Sequence, residues 1–313
     1  MAAEGNNIVR YLYRGEEGER IPEEATHITV LARVILANAF REHSNIVELI
    51  CDDASVEMIE EYAFYRCLSL QRVIMPGVKV VERAAFNICS ALSYIECGKL
   101  EIVGRTAFYG TSLSSVDLPC IKVVGEMAFN GCINLANTKF GNELESIGRG
   151  ALQYCTALER ITLPLKDELM THDNIFRFCQ NLNQVDLVEG TILHETAAAL
   201  ILEEWKNDMY NEICSINQNL ASAPAGDGYD VGGKAQAIQT WIRSVLRKIV
   251  HYKAEHQRIL DEAATTLHHV LPNDIVLDSI LSFLELPSYT FEGEEEEESS
   301  DDQSDDDEDM EEE

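Results

Sequence analysis

The chain has 313 residues, enough to bury a sizeable core in one or two domains. Its formal net charge is −31: sixteen acidic residues lie between Glu292 and Glu313, and the remainder still carries 39 acidic against 24 basic residues. Such a body repels polyanions, so neither nucleic acid nor an anionic membrane is an expected partner.

Residues 1–25 read as an N-terminal cap segment. "MAAEGNNIVRYLYRGEEGER" is acid-rich and lacks the apolar h-region of a signal peptide. Ile8 to Tyr13 is a predicted strand, followed by a Gly-rich turn. No window approaches the length of a membrane span. Nine cysteines, an odd number without a secretion signal, predict reduced thiols in the cytoplasm or nucleus.

From 26 to 190 the chain repeats. "AFYRCLSLQRV" at Ala63 returns as "AFNICSALSYI" at Ala85, "AFNGCINLANT" at Ala128, "ALQYCTALERI" at Ala151 and "IFRFCQNLNQV" at Ile175. Weaker copies begin at Ala39 and at Ala107, the latter one residue short. The key column holds Phe40, Phe64, Phe86, Phe108, Phe129, Leu152 and Phe176, at steps of 24, 22, 22, 21, 23 and 24. A period in the twenties predicts a solenoid, whose units are too small to bury their own apolar faces and rely on their neighbours.

Other columns keep register. Five residues before the phenylalanine stand Ile35, Ile59, Val81, Val103, Val124 and Ile147; six after it stand Ile46, Leu70, Leu92, Leu135, Leu158 and Leu182. Short β-branched segments such as Val116–Pro119 and Ile161–Pro164 alternate with Gly and Pro corners, which predicts strands. Cys67, Cys89, Cys132, Cys155 and Cys179 form one column. Such a column is expected inside, where a small, weakly polar side chain packs well. Rung spacing alone would also permit disulfides, but a linear stack does not suit tetrahedral zinc.

This unit, L-x-x-[IV]-[GE]-x-x-A-F-x-x-C-x-x-L-x-x-[IV]-x-L-P, resembles the BspA-type, or Treponema pallidum-type, leucine-rich repeat. The resemblance implies a β-rich, right-handed solenoid of about seven turns. It also implies a protein-binding scaffold, the usual role of such repeats in bacterial surface proteins and protist proteins. The outward positions of the "L-x-x-I-x-L" strand are then the candidate contacts: Arg72, Ile74, Tyr94, Glu96, Ser115, Asp117, Asn137, Lys139, Arg160, Thr162, Gln184 and Asp186. Their mixed sign favours a protein ligand over a polyanion.

After the solenoid the period becomes helical. Residues 191–220 form a predicted amphipathic helix with the stripe Leu202, Trp205, Met209, Ile213, Ile216 and Leu220; 221–233 is a flexible linker. A helical region covers 234–286, its first helix striped by Ile238, Ile242, Val245, Ile249, Tyr252, His256, Ile259 and Ala263. The helices on either side of the linker are expected to pair as an antiparallel, coiled-coil-like hairpin.

Within the second helix, "AQAIQTWIRSVLRK" resembles the calmodulin-binding IQ motif through Ile238, Gln239, Arg243 and Lys248, although Ser244 and His251 depart from it. The same apolar residues equally suit a packing stripe. This stretch is also the most basic in the chain and is a candidate seat for the acidic tail. "LPNDIVLDSILSFLELP", Leu271–Pro287, resembles the opening helix of an F-box, which would imply a ubiquitin-ligase adaptor.

Residues 287–313 are too charged to fold alone and are expected to be disordered. Their layout resembles that of acidic histone-binding proteins, which adds basic proteins to the candidate partners. Ser299 and Ser304, each followed three residues on by Asp, are candidate phosphosites.

No phosphate-binding Gly loop, nucleophile elbow or kinase signature occurs, and the histidine pairs His251/His256 and His268/His269 lack helical metal spacing. The expectation is a non-catalytic protein with no cofactor and no metal site.

Overall fold

The computed structural model describes residues 8–51, 56–167, 169–170, 174–188, 199–224 and 233–268. Each of the first six repeats makes one turn of a coil, with one long and one short strand; in the seventh, among the described residues, only the long strand forms, beside a single bridge at Met170. The long strands are β1 (Arg10–Tyr13), β2 (His27–Val30), β4 (Glu48–Ile50), β6 (Arg72–Ile74), β8 (Tyr94–Glu96), β10 (Ser115–Leu118), β12 (Asn137–Phe140), β14 (Arg160–Leu163) and β15 (Gln184–Leu187). The short ones are β3 (Val34–Ile35), β5 (Met58–Ile59), β7 (Val80–Val81), β9 (Ile102–Val103), β11 (Val123–Val124) and β13 (Ser146–Ile147).

All strand pairs are parallel and keep the repeat register, as in Val73↔Ile95 and Val81↔Val103. The short strands form one six-stranded sheet. The long strands form two, β1-β2-β4-β6-β8 and β10-β12-β14-β15.

The corner around A-F is built by alternating residues that donate along the coil. Phe64 N–H reaches the Ala85 carbonyl at 2.7 Å, and Phe86 reaches Ala107 at 2.8 Å. The residues two before and two after the phenylalanine do the same, with left-handed φ: Tyr62 (58°) donates to Arg83, and Arg66 (59°) to Asn87. Glycine fills these two columns at Gly110, Gly131 and Gly150. Elsewhere ordinary residues carry the strain, which costs roughly 1–2 kcal/mol each for an L side chain. The ladder of main-chain hydrogen bonds holds them there.

Inside, the predicted phenylalanine column is a stack. Successive ring centroids from Phe40 through Phe64, Phe86 and Phe108 to Phe129 lie 4.8, 5.1, 5.3 and 5.3 Å apart, with interplanar angles of 3–5°. The spacing follows from the ~4.8 Å distance between parallel strands, and it lies within the range of favourable stacked rings. Tyr13 closes the stack from the cap, 5.0 Å from Phe40, and its hydroxyl accepts the Leu36 N–H.

The cysteine column is fully buried, as its pattern led one to expect, and all nine cysteines are free. The reason for the residue type is sharper than size alone. Each Sγ donates to the carbonyl of the phenylalanine-column residue one turn back: Cys67 to Phe40 (3.0 Å), Cys89 to Phe64 (3.0 Å), Cys132 to Phe108 (3.2 Å), Cys155 to Phe129 (3.2 Å) and Cys179 to Leu152 (3.0 Å). Where cysteine is missing, another donor takes the column. Thr111 donates within its own turn, to the Phe108 carbonyl at 3.1 Å, and His43 Nε2 donates to the Pro22 carbonyl at 2.9 Å.

Two helices follow, α1 (Glu203–Leu220) and α2 (Gly233–His268). Leu202 immediately precedes the first and is exposed, while Met209, Ile216 and Leu220 are buried. Along α2 the buried stripe drifts to Leu260, leaving Ile259 half-buried, because 3.6 residues per turn do not keep a strict step of seven.

The helices pair through the Trp205–Tyr252 ring contact and the Trp241 indole donating to the Glu212 carbonyl at 2.9 Å. They also seal the last turn of the coil. The Val185 N–H, which another strand would otherwise accept, donates to Asn217 Oδ1 at 2.9 Å. The Lys234 ammonium, 3% exposed, donates to the carbonyls of Gln180 and Leu182.

Candidate interaction surface

The strand pattern turns two columns of each long strand outward, and these hold the twelve residues expected to make contacts. In parallel register they stack as Glu48–Arg72–Tyr94, then Ser115–Asn137–Arg160–Gln184 and Asp117–Lys139–Thr162–Asp186. Ile74, Thr162, Gln184 and Asp186 are half-buried and the other eight are exposed.

The two ends of this face are tied up internally. At the first, Glu48 bridges His27 (3.7 Å) and Arg72 (3.5 Å), and the Arg72 guanidinium lies 4.8 Å from the Tyr94 ring centre. At the second, Arg160 pairs with Asp186 (3.3 Å) and donates to Gln184 (2.7 Å), which in turn donates to Asp186 (3.2 Å). His27 and Glu48 belong to the same columns. They lie outside the twelve residues expected to make contacts, although "THITV" and "IVELI" carry the strand alternation.

The middle differs. Among the described residues, no side-chain partner occurs for Glu96, Ser115, Asp117, Asn137 or Lys139, although Asp117 and Lys139 are register neighbours. The same place is a seam in the sheet. In ordinary turns the two N–H groups after the leucine column share one carbonyl of the preceding turn, as Ser93 and Tyr94 share Gln71 O (3.0 and 3.2 Å). The fourth repeat lacks one residue between Thr111 and Leu113, and Ser112 N–H instead meets Leu92 O at 2.9 Å. The ladder therefore stops at β8 and restarts at β10. Ile95, at the seam, is only half-buried, where its register neighbour Val73 is fully covered.

The inner thiols take no part in a surface site. Burial pushes the Cys132 thiol up to about 11; burial, with the carboxylates of Asp117 and Glu96 nearby, pushes Cys97 to about 12. Both remain thiols at neutral pH, and a thiol is neither the nucleophilic nor the metal-binding form. Among the described residues no three His, Cys, Asp or Glu side chains gather as metal ligands.

The four IQ-like residues point into intramolecular contacts or beside them. Ile238 is buried, Gln239 half-buried, and Arg243 pairs with Asp167 at 2.9 Å. Lys248 bridges Asp208 (2.7 Å) and Glu212 (3.1 Å); its hydrogen bond, with that of Tyr252, holds the Asp208 carboxyl below its ordinary value. A partner enclosing this face would have to lift α2 from α1. The basic character of α2 is likewise largely spent at home, since Lys234 is buried and Arg258 pairs with Glu255 and Glu262. Leu271–Pro287, Ser299, Ser304 and the acidic tail lie outside the described residues.

The family model described as the BspA type leucine rich repeat region matches in six copies, over residues 24–121 and 101–198. Several solved leucine-rich repeat structures are similar. A leucine rich repeat protein of T. pallidum is 22% identical over 58% of this chain and 70% of its own, with a TM-score of 0.37. A leucine-rich repeat protein of Bacteroides ovatus is 18% identical over 56% and 69%, with a TM-score of 0.30. No curated protein matches. With its repeating columns and their family match covering more than half of the residues, the chain belongs to the BspA-type leucine-rich repeat proteins.

Proposed function

We propose that the protein is a non-catalytic scaffold that binds a protein ligand on the long-strand face, centred on the seam between β8 and β10. The observation that carries this reading is the unpartnered cluster Glu96, Ser115, Asp117, Asn137 and Lys139, flanked on both sides by side chains already satisfied within the chain. Polar groups that are presented on a rigid sheet without internal partners give up only water on meeting a ligand, because they need not first break an intramolecular bond. Exposed Tyr94 at the rim adds the kind of aromatic anchor that interfaces favour. Mixed charge across the seam supports a protein ligand over a polyanion.

The test compares proteins captured from cell extract by the native chain and by two variants. Glu96→Lys/Asp117→Lys/Lys139→Glu alters the seam, and Arg105→Glu/Arg149→Glu alters the exposed corner elsewhere on the coil. The reading expects a defined set of proteins lost with the seam variant and kept with the corner variant. Identical sets from all three would place binding off this face.

A further inference from the structure

The outer face of the six-stranded sheet carries a second ordered pattern. Two residues per turn point outward between the inward columns. The position six before the phenylalanine column gives Val34, Met58, Val80, Ile102, Val123 and Ser146, paired in that order across the sheet. Five of the six are apolar, yet Ile102 is 41% exposed and the others are half-buried. An apolar row on a solvent-facing sheet is the kind of patch that marks an association surface.

Beside it, the position seven before the phenylalanine gives Arg33, Glu57, Lys79, Glu101, Lys122 and Glu145. The signs alternate strictly. Two adjacent pairs are closed ion pairs, Arg33–Glu57 at 2.7 Å and Glu101–Lys122 at 2.9 Å. The field reaches past the closed pair in the second part of the row: the hydrogen bond from Lys122, with Lys79 adding, holds the Glu101 carboxyl below its ordinary range, and Glu145 is among the carboxylates that raise Lys122.

An alternating row with an even number of members has a special symmetry. Laid against its own reverse, every position meets its opposite: Arg33 faces Glu145, Glu57 faces Lys122, and Lys79 faces Glu101. A two-fold axis lying in the face and perpendicular to the coil produces this arrangement. It also lays the apolar row on itself, with Val80 opposite Ile102 and Met58 opposite Val123. Isologous contacts of this kind are the commonest in homo-oligomers.

We propose that this face binds a second copy of the same chain, antiparallel, through the apolar row and the alternating charges beside it. The patch spans six strands at ~4.8 Å and four residues at ~3.3 Å, or roughly 400 Å² per copy. Stable dimers bury about 800 Å² per partner, so this one is weak and forms at high concentration or when copies are held close together. Two chains of charge −31 repel at long range. At ~0.15 M salt that repulsion is screened beyond about 8 Å, whereas facing pairs in contact are not.

The test uses the full chain at several hundred micromolar. Sedimentation is expected to show a monomer–dimer equilibrium. Ile102→Asp, at an exposed position, abolishes it, with an unchanged far-ultraviolet spectrum confirming the fold. Lys79→Glu raises the dimer dissociation constant at least tenfold, and Lys79→Glu/Glu101→Lys restores it, because the facing pairs are opposite again.

A zero-length carbodiimide cross-link separates the geometries. Glu57 and Lys122 are three rungs apart within one chain, ~14 Å, so a direct Glu57–Lys122 bond forms only between copies in the antiparallel arrangement. Its presence, lost in Ile102→Asp, supports the proposal. A strict monomer at all concentrations, a dimer without that cross-link, or a dimer unaffected by Ile102→Asp overturns it.

Discussion

The interior of the coil and its C-terminal end solve the same problem differently. In the interior each turn hands its exposed apolar wall and its free main-chain groups to an identical neighbour, so one solution is written repeatedly: ring on ring, thiol to carbonyl, corner N–H to corner carbonyl. At the end there is no identical neighbour. Single polar side chains from the helices stand in for the missing turn, Asn217 as acceptor for Val185 and Lys234 as donor to Gln180 and Leu182. The N-terminal end does likewise, with the Glu19 carboxylate accepting N–H groups of Arg14, Gly15 and Glu16. A repeat sequence thus encodes cooperativity within the stack, while its limits depend on one-off residues whose loss acts locally.

Removing a ring from the middle of the stack should have the largest effect. Phe86→Ala leaves a cavity facing two neighbours and is expected to cost about 3–5 kcal/mol in urea unfolding. Phe176→Ala, near the end, should cost clearly less. Equal costs would mean that the rings do not act as a stack.

Lys234→Ala and Asn217→Ala strip acceptors or donors from the last turn and should each cost about 1–3 kcal/mol. Their signature is positional: hydrogen exchange should accelerate at β15 and leave β6 unchanged. Uniform acceleration would make the helices part of one cooperative unit with the coil.

The buried thiols give a smaller, pH-dependent effect. Their folded pKa is raised above the ~8.5 of an unfolded cysteine, so the folded state holds the proton longer. The stability they contribute is complete below about pH 8.5 and falls as pH rises toward 11–12, the range reached by Cys132 and Cys97. At pH 8 iodoacetamide is expected to alkylate exposed Cys120 in the native protein and the inner column only on unfolding. Native-state labelling of Cys89 or Cys155 would show that the column opens.

The smallest effect is expected where the corner tolerates strain. Arg66→Gly relieves a left-handed residue at φ 59° and should stabilise by about 0.5 kcal/mol, the remainder being offset by the extra entropy of glycine in the unfolded chain.

What could be read from the residues follows the same division. The phenylalanine, leucine and cysteine columns were legible because each repeats in register and has one physical reason to face inward. The left-handed corners were half legible: Gly110, Gly131 and Gly150 mark them, but Tyr62, Arg66 and Ile88 carry the same backbone without a signal. The missing residue in the fourth repeat was visible, yet its consequence, a seam between β8 and β10, depends on how the ladder reconnects in space. Lys234 read as one basic residue among several. Nothing local distinguishes a lysine that will be buried against two carbonyls from one in water.

Neighbouring repeats share one interior wall. A nuclear Overhauser spectrum of the chain labelled at phenylalanine rings tests this directly. Cross-peaks are expected between Phe64 and Phe86 and between Phe86 and Phe108, whose ring centres lie 5.1 and 5.3 Å apart, and none between Phe64 and Phe108. Absence of the first two, or a direct Phe64–Phe108 contact, would contradict the stacked coil.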